Sequence, residues 1–305
     1  MDRFDSMRIY LRVAEIGSFA AVARQMDVAR SVITRQVAAL EAHLGVKLIA
    51  RSTRSLTLTS AGSTYLESCR EILDLVEAAE SGLADERQEP RGLIRLSVPL
   101  SFGLRHLSPL LMDFSATYPE VITEIDFTDR RVKLIEEGLD LAIRITRRLE
   151  PLDVRRRIGS SHLVVVASPE YLRRHGEPRH PRELVKHECL IYLPAQQEGW
   201  PFLVDGVTEV FPVRGRMRAN NGDALLDAAI RGLGITAQPS FLTAAAIEAG
   251  WVQPILRDYP MPELGIYALL AGNRYVPQRV RVLIDYLAER IGARPYWESA
   301  YPEEL

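Results

Sequence analysis

The opening of the chain contains three helical patterns of apolar residues, and these constrain the fold more than any other feature. The patterns cover residues 5–16, 19–26 and 30–44, and each repeats at the three- and four-residue spacing of a helix. Gly17 and Gly45 end the first and the third pattern, as glycine often does. Only a short break separates the second pattern from the third. Two short helices joined in this way predict a helix-turn-helix motif.

The third predicted helix presents two different faces. Its inward face is apolar and consists of Ile33, Val37, Leu40 and Leu44. Its outward face is polar and cationic and includes Arg30, Ser31, Thr34 and Arg35. A helix-turn-helix places the outer face of its second helix in the major groove of DNA, so these outward side chains are the candidate DNA contacts.

A two-stranded ribbon is predicted directly after the third helix. Residues 46–49 and 51–58 alternate in the manner of two paired strands. Arg51 and Arg54 lie at the turn between them, where they can reach phosphates or an adjacent narrow minor groove. The ribbon therefore predicts the wing of a winged helix-turn-helix.

The net charge of −2 conceals an uneven distribution along the chain. Residues 1–60 carry nine Lys and Arg against five Asp and Glu, a balance of +4. Residues 61–89 carry two basic against eight acidic residues, a balance of −6, and the remainder cancels to zero. Clustered basic residues are typical of nucleic-acid binding, whereas a balance of +4 alone also fits an ordinary solvated surface.

Several short motifs occur together in the first 62 residues. They are Gly17-Ser18-Phe19-Ala20-Ala21-Val22-Ala23, Thr34-Arg35-Gln36-Val37-Ala38-Ala39-Leu40-Glu41, Leu44-Gly45-Val46-Lys47-Leu48, Arg51-Ser52-Thr53-Arg54 and Leu58-Thr59-Ser60-Ala61-Gly62. In combination they resemble the N-terminal domain of LysR-type transcriptional regulators, and the resemblance extends over nearly the whole chain. It implies a DNA-binding regulator of α/β class with an N-terminal all-α winged helix-turn-helix, a long linker helix and a two-lobed effector domain like type 2 periplasmic binding proteins.

One motif departs from that family. The family usually begins its recognition helix with Ser followed by Gln or Pro, whereas this chain has Ala29-Arg30-Ser31. The missing capping hydroxyl at Ala29 costs about 1 kcal/mol unless Asp27 or a phosphate replaces it. The change also places Arg30 at the reading edge, where it either contacts guanine bidentately or clamps a phosphate.

A third region, residues 59–84, predicts one helix with a narrow apolar seam. The seam follows alternating four- and three-residue steps and consists of Tyr65, Cys69, Ile72, Val76, Ala79 and Leu83. Such a seam either joins the core of its own chain or pairs with a second copy. The family resemblance favours pairing, because LysR-type proteins dimerise through this helix, and two recognition helices would then read an inverted repeat.

Beyond the break at residues 89–92, the pattern changes to alternating strands and helices. Strands are predicted at residues 93–98, 121–127, 139–145, 163–167, 234–238 and 266–270. Helices are predicted around Leu104–Phe114, Val132–Ile135, Leu225–Ile230, Phe241–Ala249 and Val280–Ile291. This alternation predicts a parallel sheet.

These elements lead to three predicted domains. Residues 1–58 form the DNA-binding domain, 59–89 the linker helix and hinge, and 90–305 the effector domain. The resemblance implies two lobes in the last of these, lobe I from 92–162 and 266–295 and lobe II from 163–265.

Candidate effector contacts follow from where the strands end. Ligands of open α/β sheets lie beyond the carboxyl ends of strands, near helix N-termini. Ser101 and Phe102 follow the first strand, and Asn221 opens a lobe II helix; helix capping is the alternative role for Ser101 and Asp223. The resemblance adds Thr128-Asp129 and the run Arg144-Ile145-Thr146. Arg144 and Arg147 either favour an anionic effector or are simply solvated.

Enzyme and cofactor motifs are missing from the sequence. Gly232-Leu233-Gly234 follows a helix and precedes a strand, the reverse of a dinucleotide-binding turn, and GxSxG, P-loop and HExxH motifs do not occur. Cys69 and Cys189 are too isolated to form a CxxC site, and His175 and His180 fit a solvated loop better than a metal site. We therefore expect no catalytic residues, no metal and no cofactor.

The sequence as a whole predicts a transcriptional regulator. Its expected partners are double-stranded operator DNA and an unidentified small-molecule effector; family resemblance adds a homotetramer built as a dimer of dimers and contact with RNA polymerase. No apolar run approaches the length of a membrane span and the N-terminus lacks the layout of a secretory signal, so we expect a cytoplasmic protein without a membrane partner. The alternative is a two-lobed solute-binding protein or enzyme with no DNA role, which leaves residues 1–90 unexplained.

Overall fold

A computed structural model describes residues 3–51, 56–81, 89–147, 154–193, 199–270, 276–293 and 295–298. The chain divides into two compact units, Met1–Glu89 and Pro90–Leu305.

The N-terminal unit consists of four helices and a small ribbon. Its elements are α1 (Arg3–Ile16), α2 (Phe19–Gln25), α3 (Arg30–Leu44), β1 (Ile49–Arg51), β2 (Leu56–Leu58) and α4 (Ser60–Ser81). Ser18 caps α2 by accepting from the Ala21 N–H at 3.3 Å. Gly45 ends α3 with a φ of +70°, a left-handed conformation that glycine adopts without strain. The strands β1 and β2 pair in antiparallel fashion, as the sequence predicts.

The core of this unit lies between α1, α3 and the first half of α4. Tyr10 and Ile33 are completely buried there, and Val37 and Leu40 complete the apolar face of α3. The Tyr10 hydroxyl donates to the Gly62 carbonyl of α4 at 2.9 Å, which ties the linker helix to α1. Each fully buried side chain of this size contributes about 1.5–3 kcal/mol to the stability of the unit.

The C-terminal unit is an α/β structure with two separate five-stranded sheets. Its first elements are β3 (Gly92–Val98), α5 (Leu100–Phe102), a π turn (Gly103–Leu107), α6 (Ser108–Thr117), β4 (Val121–Phe127), β5 (Leu141–Thr146) and β6 (Val154–Ser161). The middle of the unit contains β7 (Leu163–Ala167), α7 (Pro169–His175), a 3-10 helix (Pro181–Lys186), β8 (Cys189–Tyr192), β9 (Gly199–Val204), β10 (Val207–Pro212) and β11 (Arg218–Ala219). The last part contains α8 (Gly222–Ile230), β12 (Ile235–Pro239), α9 (Ser240–Glu248), β13 (Gln253–Pro254), β14 (Leu264–Leu270), α10 (Gln278–Ile291) and a 3-10 helix (Tyr296–Glu298).

The strand order shows how the chain crosses between the two sheets. The first sheet has the order β4-β3-β5-β14-β6 and the second has the order β11-β8-β12-β7-β13. We call the part built on the first sheet lobe I and the part built on the second sheet lobe II. The chain leaves lobe I after β6 and returns to it with β14, which inserts between β5 and β6.

Two predictions about this unit are wrong, and further features of it are not predicted. The sheets are mixed rather than parallel, because β14 runs antiparallel to both its neighbours and β12 runs antiparallel to β7. The helix predicted around Val132–Ile135 is wrong; residues 134–138 form turns, and Ile135 is exposed instead of packing inward. The strand β6 and the hairpin of β9 with β10 were not predicted at all.

Candidate DNA interface and effector cleft

The outer face of α3 is the candidate DNA interface. Arg30, Ser31 and Arg35 are exposed and Thr34 is half-buried, while Ile33 and Val37 on the opposite side are buried. The helix is thus divided as the sequence predicts, with one face committed to the core and the other open to solvent. An exposed face that starts with a guanidinium fits the dimensions and the charge of a major groove.

The first turn of α3 lacks a side-chain cap. Ala29 occupies the N-cap position in an extended conformation and makes no side-chain cap hydrogen bond. The backbone instead closes the turn through the Val32 N–H, which donates to the Ala29 carbonyl at 2.9 Å. Uncapped N–H groups at a helix start are suited to donate to a phosphate, because they carry the positive end of the helix dipole.

Glu41 connects α3 to the ribbon. It is buried, and one of its oxygens accepts the backbone N–H groups of Leu48 and Ile49 at 3.0 and 3.1 Å. Its other oxygen pairs with the Lys47 ammonium at 2.6 Å. Burial raises the pKa of Glu41, but the hydrogen bonds from Lys47, Ile49 and Leu48 more than offset this, so its pKa lies below the ordinary value. The start of β1 is therefore fixed to the recognition helix.

The two predicted wing arginines are only partly described. Arg51 is the last residue of β1, and its backbone pairs with Leu56. Arg54 lies outside the described residues.

The predicted apolar seam of α4 is buried to different degrees along its length. Cys69 is completely buried in the core of its own unit, and burial raises the pKa of its thiol to about 11. Its prediction as a dimer contact is wrong, because it has no exposed surface for a partner. Tyr65 and Ile72 are half-buried against the same core, and the Tyr65 ring lies 5.9 Å from that of Tyr10. Val76 is half-buried further along, and Leu83 lies outside the described residues.

The candidate effector cleft is marked by side chains that meet from the two lobes. Ser101, in α5 of lobe I, donates its hydroxyl to the carboxylate of Asp223, in the first turn of α8 of lobe II. Arg105, on the π turn, donates to the other oxygen of the same carboxylate. Asn221 caps α8 by accepting from the Ala224 N–H at 3.1 Å, and its amide donates to the Ser101 hydroxyl at 3.4 Å. Asn221 rather than Asp223 thus caps α8, and Ser101 contacts both residues across the lobes.

Two of the predicted effector contacts differ from expectation. Phe102 is completely buried against the rings of Phe241 and Trp297, so its prediction as an effector contact is wrong and it supports the cleft wall from behind. Arg144 is half-buried, and its guanidinium donates to Ser97 Oγ at 2.9 Å and to the Ile143 carbonyl at 2.7 Å. The Arg144 guanidinium is therefore held by groups of its own lobe rather than purely solvated.

Thr128 and Asp129 follow β4 on the same wall. Thr128 is half-buried, and its hydroxyl accepts from the Arg130 N–H at 3.3 Å. Asp129 accepts from the Leu100 N–H at 3.0 Å, which fixes the start of α5. Burial, with a smaller contribution from the negative charge of Asp223, raises the pKa of Asp129. Burial together with the charge of Asp129 raises the pKa of Tyr192 to about 12.

Arg105, unlike Asp129, is a residue of the candidate cleft that the sequence analysis does not predict. Arg105 occupies a π turn, a distortion that has no simple sequence signal and occurs frequently at functional sites. Gly103 at the start of that turn gives a partial signal, since a Cβ there would lie 2.7 Å from a Val98 methyl and 2.8 Å from the Phe127 ring. A glycine directly after a strand and helix start can thus indicate close packing of backbone below a ligand site.

The described part of the chain lacks both a metal-binding cluster and a membrane-spanning helix. No cluster of three or more His, Cys, Asp or Glu side chains there is arranged to hold a metal ion. No described helix combines the length and the apolar character that crossing a membrane requires.

Comparison with protein families gives two matches that together cover most of the chain. Residues 4–63 match the bacterial regulatory helix-turn-helix proteins of the lysR family. Residues 87–292 match the LysR substrate binding domain. The first match contains α1–α3 and the ribbon, and the second contains both lobes.

Individual relatives are similar over almost their entire length. An HTH-type transcriptional regulator of Xanthomonas campestris is 34% identical, covering 93% of this chain and 84% of its own. The structure of CrgA, a LysR-type transcriptional regulator from Neisseria meningitidis, is 30% identical with a TM-score of 0.61, covering 94% of this chain and 98% of that one. A Corynebacterium glutamicum OxyR structure, at 18% identity and a TM-score of 0.67, covers 95% of this chain and 92% of its own and shares the fold.

Proposed function

The chain belongs to the LysR family of transcriptional regulators, and from this premise we propose that it binds an inverted-repeat operator as a dimer under the control of a small effector. The family establishes a DNA-binding regulator with an effector-binding domain, and its relatives are regulators rather than enzymes. The observation that carries the operator proposal is the division of α3, with Arg30 and Arg35 exposed and Ile33 and Val37 buried.

We assign the DNA contacts to three places on the N-terminal unit. Thr34 and Arg35 read or clamp the major groove from the middle of α3, while Arg30 and Ser31 do so from its first turn. Arg51 and Arg54 extend the contact to the flanking backbone. Phosphate contacts supply affinity without sequence information, and base-edge contacts supply the specificity.

The effector site proposed here is the cleft where Ser101, Asn221 and Asp223 meet. These side chains come from both lobes, so a ligand bound among them changes the separation of the lobes. Thr128 and Arg144 lie on the lobe I wall behind them. Control of DNA binding then requires that the effector prefers one of two assembly states.

The proposed assembly has two levels. Two copies pair through the outer half of α4, from Val76 onward, and two such dimers form a tetramer that contacts RNA polymerase. An operator partner implies that the protein works in the cytoplasm.

Footprinting of genomic fragments with purified protein tests this function. We expect a protected inverted repeat whose half-sites are one or more helical turns apart. Affinity should fall steeply with salt, by about 0.9 in the log–log slope for each phosphate that is neutralised. Absence of any protected site, or a flat response to salt, would contradict the proposal. The matched variant is Arg35→Ala. It removes an exposed cation and leaves the core of α3 intact, so a loss of DNA binding reports the missing cation rather than unfolding.

A further inference from the structure

Asp223 holds a position in the cleft that a bound ligand could take. One carboxylate oxygen accepts the Ser101 hydroxyl and the other accepts the Arg105 guanidinium. Ser101 and Arg105 belong to lobe I, whereas Asp223 belongs to lobe II. Two donors on lobe I thus bind both oxygens of one planar carboxylate, which lobe II supplies.

The two donors are fixed by the lobe I backbone. Ser101 is 8% exposed in a helix whose first N–H is held by Asp129 at 3.0 Å. Arg105 follows Gly103, which packs too closely on Val98 and Phe127 to accept a larger residue without movement. Donors held in place before a ligand arrives lose little entropy on binding, so they favour tight recognition of a group that matches them.

The contact between Asp223 and these donors is exchangeable. The Arg105 side chain is 45% exposed and that of Asp223 is 32% exposed, so water reaches the ion pair. An ion pair this exposed contributes only about 0–1 kcal/mol, because solvent screens it and its side chains lose freedom. A ligand with additional contacts to the cleft can therefore displace the Asp223 carboxylate.

Other cations of this wall do not serve the same purpose. The Arg144 guanidinium donates to Ser97 and to backbone carbonyls of its own lobe. A carboxylate that bound beside Asp223, rather than in its place, would meet the negative charge of both Asp223 and Asp129. Electrostatic repulsion therefore favours replacement over joint occupancy.

We propose that Ser101 and Arg105 form a receptor for the carboxylate of the effector, and that Asp223 is the internal carboxylate which fills this receptor when no effector is bound. Binding of the effector releases Asp223 and breaks this link between the lobes. This inference rests on the proposed function, since it names the chemical class of the ligand for the same cleft.

Chemical rescue provides the test. Asp223→Ala in the full chain removes the internal carboxylate and leaves the two donors in place. In chloride buffer we expect the thermal midpoint of the C-terminal unit to fall by a few degrees. Acetate, the probe, should restore at least half of this loss in a saturable manner at constant ionic strength. Wild type should not respond in this way, because its tethered carboxylate outcompetes a free one.

The control variant is Ser101→Ala combined with Asp223→Ala. It lacks one of the two donors, so acetate should restore less than a quarter of its loss. Acetamide, which has the shape of acetate without its charge, should stabilise none of the variants. Equal effects of acetate on wild type, the single variant and the double variant, or no effect on any, would overturn the proposal. If Asp223→Ala does not fold, Asp223→Ser gives the same comparison with a residue that is favoured near helix starts.

The outcome is separable from that of the proposed function. Rescue by acetate concerns the lobes alone and needs no DNA. A protein that binds an inverted repeat but shows no rescue retains the proposed function and loses the ligand class. A protein that shows rescue without any protected DNA retains the carboxylate receptor and loses the operator proposal.

Discussion

Arg30 begins α3 with an exposed side chain, and in the proposed DNA complex its guanidinium contacts either a guanine edge or a phosphate. We predict that Arg30→Ala lowers the preference for guanine at one position of each half-site, at a cost of about 1–3 kcal/mol per bidentate contact. Competition binding with every single-base operator variant measures this. An unchanged preference at all positions, combined with a salt slope reduced by about 0.9, would instead assign Arg30 to a phosphate.

Ala29 leaves the same helix without a side-chain cap. Its extended backbone suits a capping residue, so Ala29→Ser should stabilise the N-terminal unit by about 1 kcal/mol. We expect a rise of a few degrees in the thermal transition of that unit, followed by circular dichroism. Ala29→Val provides the control, because valine adds a side chain without an acceptor and is as poor an N-cap residue as alanine. A serine variant no more stable than the valine variant would show that the missing hydroxyl has no cost here.

Single residues of the cleft were predicted unevenly. Ser101 and Asn221 follow from helix starts, which local sequence signals. The meeting of Ser101 with Asp223 does not, because 122 positions separate them and only the arrangement of the two lobes brings them together. The sequence predicts Phe102 as a contact because it lies beside Ser101. Its complete burial depends on tertiary packing and has no local sequence signal.

At the scale of elements, α4 packs on its own unit along the first half of its apolar seam, and we propose that the second half pairs with another copy. Its first half packs on α1 through Tyr65, Cys69 and Ile72, and only Val76 of the described seam lies beyond that contact region. Heptad spacing alone does not distinguish these roles, because a helix that packs on its own chain and one that pairs with a copy need the same stripe.

This division predicts different outcomes for two lysine substitutions in α4. Val76→Lys should weaken dimerisation at least tenfold while the N-terminal unit stays folded, since it places charge in the proposed dimer seam. Cys69→Lys should unfold the unit, because it buries an unpaired cation. Analytical ultracentrifugation and circular dichroism measure the two effects, and Thr64→Lys on the exposed side of α4 is the control. A Val76→Lys protein that dimerises as tightly as Thr64→Lys would place the interface elsewhere.

Strands and helices with strong local patterns were predicted well. The structure has β4 at Val121–Phe127, β7 at Leu163–Ala167 and α3 at Arg30–Leu44, the same residues that the spacing predicts. The failures lie where tertiary context overrides pattern. Three consecutive arginines conceal β6, an edge strand in which Arg156 and Arg157 are neutralised by Asp285 and Glu263. Two apolar residues three apart were too few to establish a helix at 132–135.

At the scale of the whole molecule, the 3-10 helix Tyr296–Glu298 returns to the junction between the lobes. Glu298 is buried there and accepts from the Ser240 hydroxyl, from the His162 N–H at 3.1 Å and from His162 Nδ1 at 2.9 Å. Trp297 beside it donates to the Ser160 carbonyl at 3.3 Å. The short segment thus joins the crossover at His162 to the start of α9, and the pairing of Glu298 with His162 should make stability depend on pH.

The direction of that dependence follows from the two pKa values. Burial raises the pKa of Glu298, but hydrogen bonds from His162 and Ser240 bring it below its ordinary 4.5. The hydrogen bond and charge of Glu298, with a smaller contribution from Glu263, raise the pKa of His162 above its ordinary 6.5 despite burial. The stabilisation is therefore complete between pH 4.5 and 6.5. It is lost as the pH falls through the folded-state pKa of Glu298 or rises through that of His162.

Glu298→Gln tests this dependence. We expect the variant to be less stable than wild type by about 1–3 kcal/mol inside that window and by less on either side. Urea unfolding of the C-terminal unit across the pH range gives the difference. His162→Gln is the control: it should remove the decline on the alkaline side and reduce the decline on the acid side, because the charge of His162 also helps to lower the pKa of Glu298. A difference between wild type and Glu298→Gln that does not change with pH would contradict the assignment.

The position of β14 has a consequence for biosynthesis. Among the strands that the structure describes, β6 pairs with β14 alone, yet more than a hundred residues of lobe II separate the two in the order of translation. A ribosome therefore releases β6 long before its neighbour exists, and during that interval its backbone groups are open to any passing strand. Its run of arginines repels such encounters in the nascent chain, since charge on an unpaired edge opposes aggregation. Lobe I is thus the first to be started and the last to be completed, and a chain that ends before Leu264 leaves lobe I without the strand that joins β5 to β6.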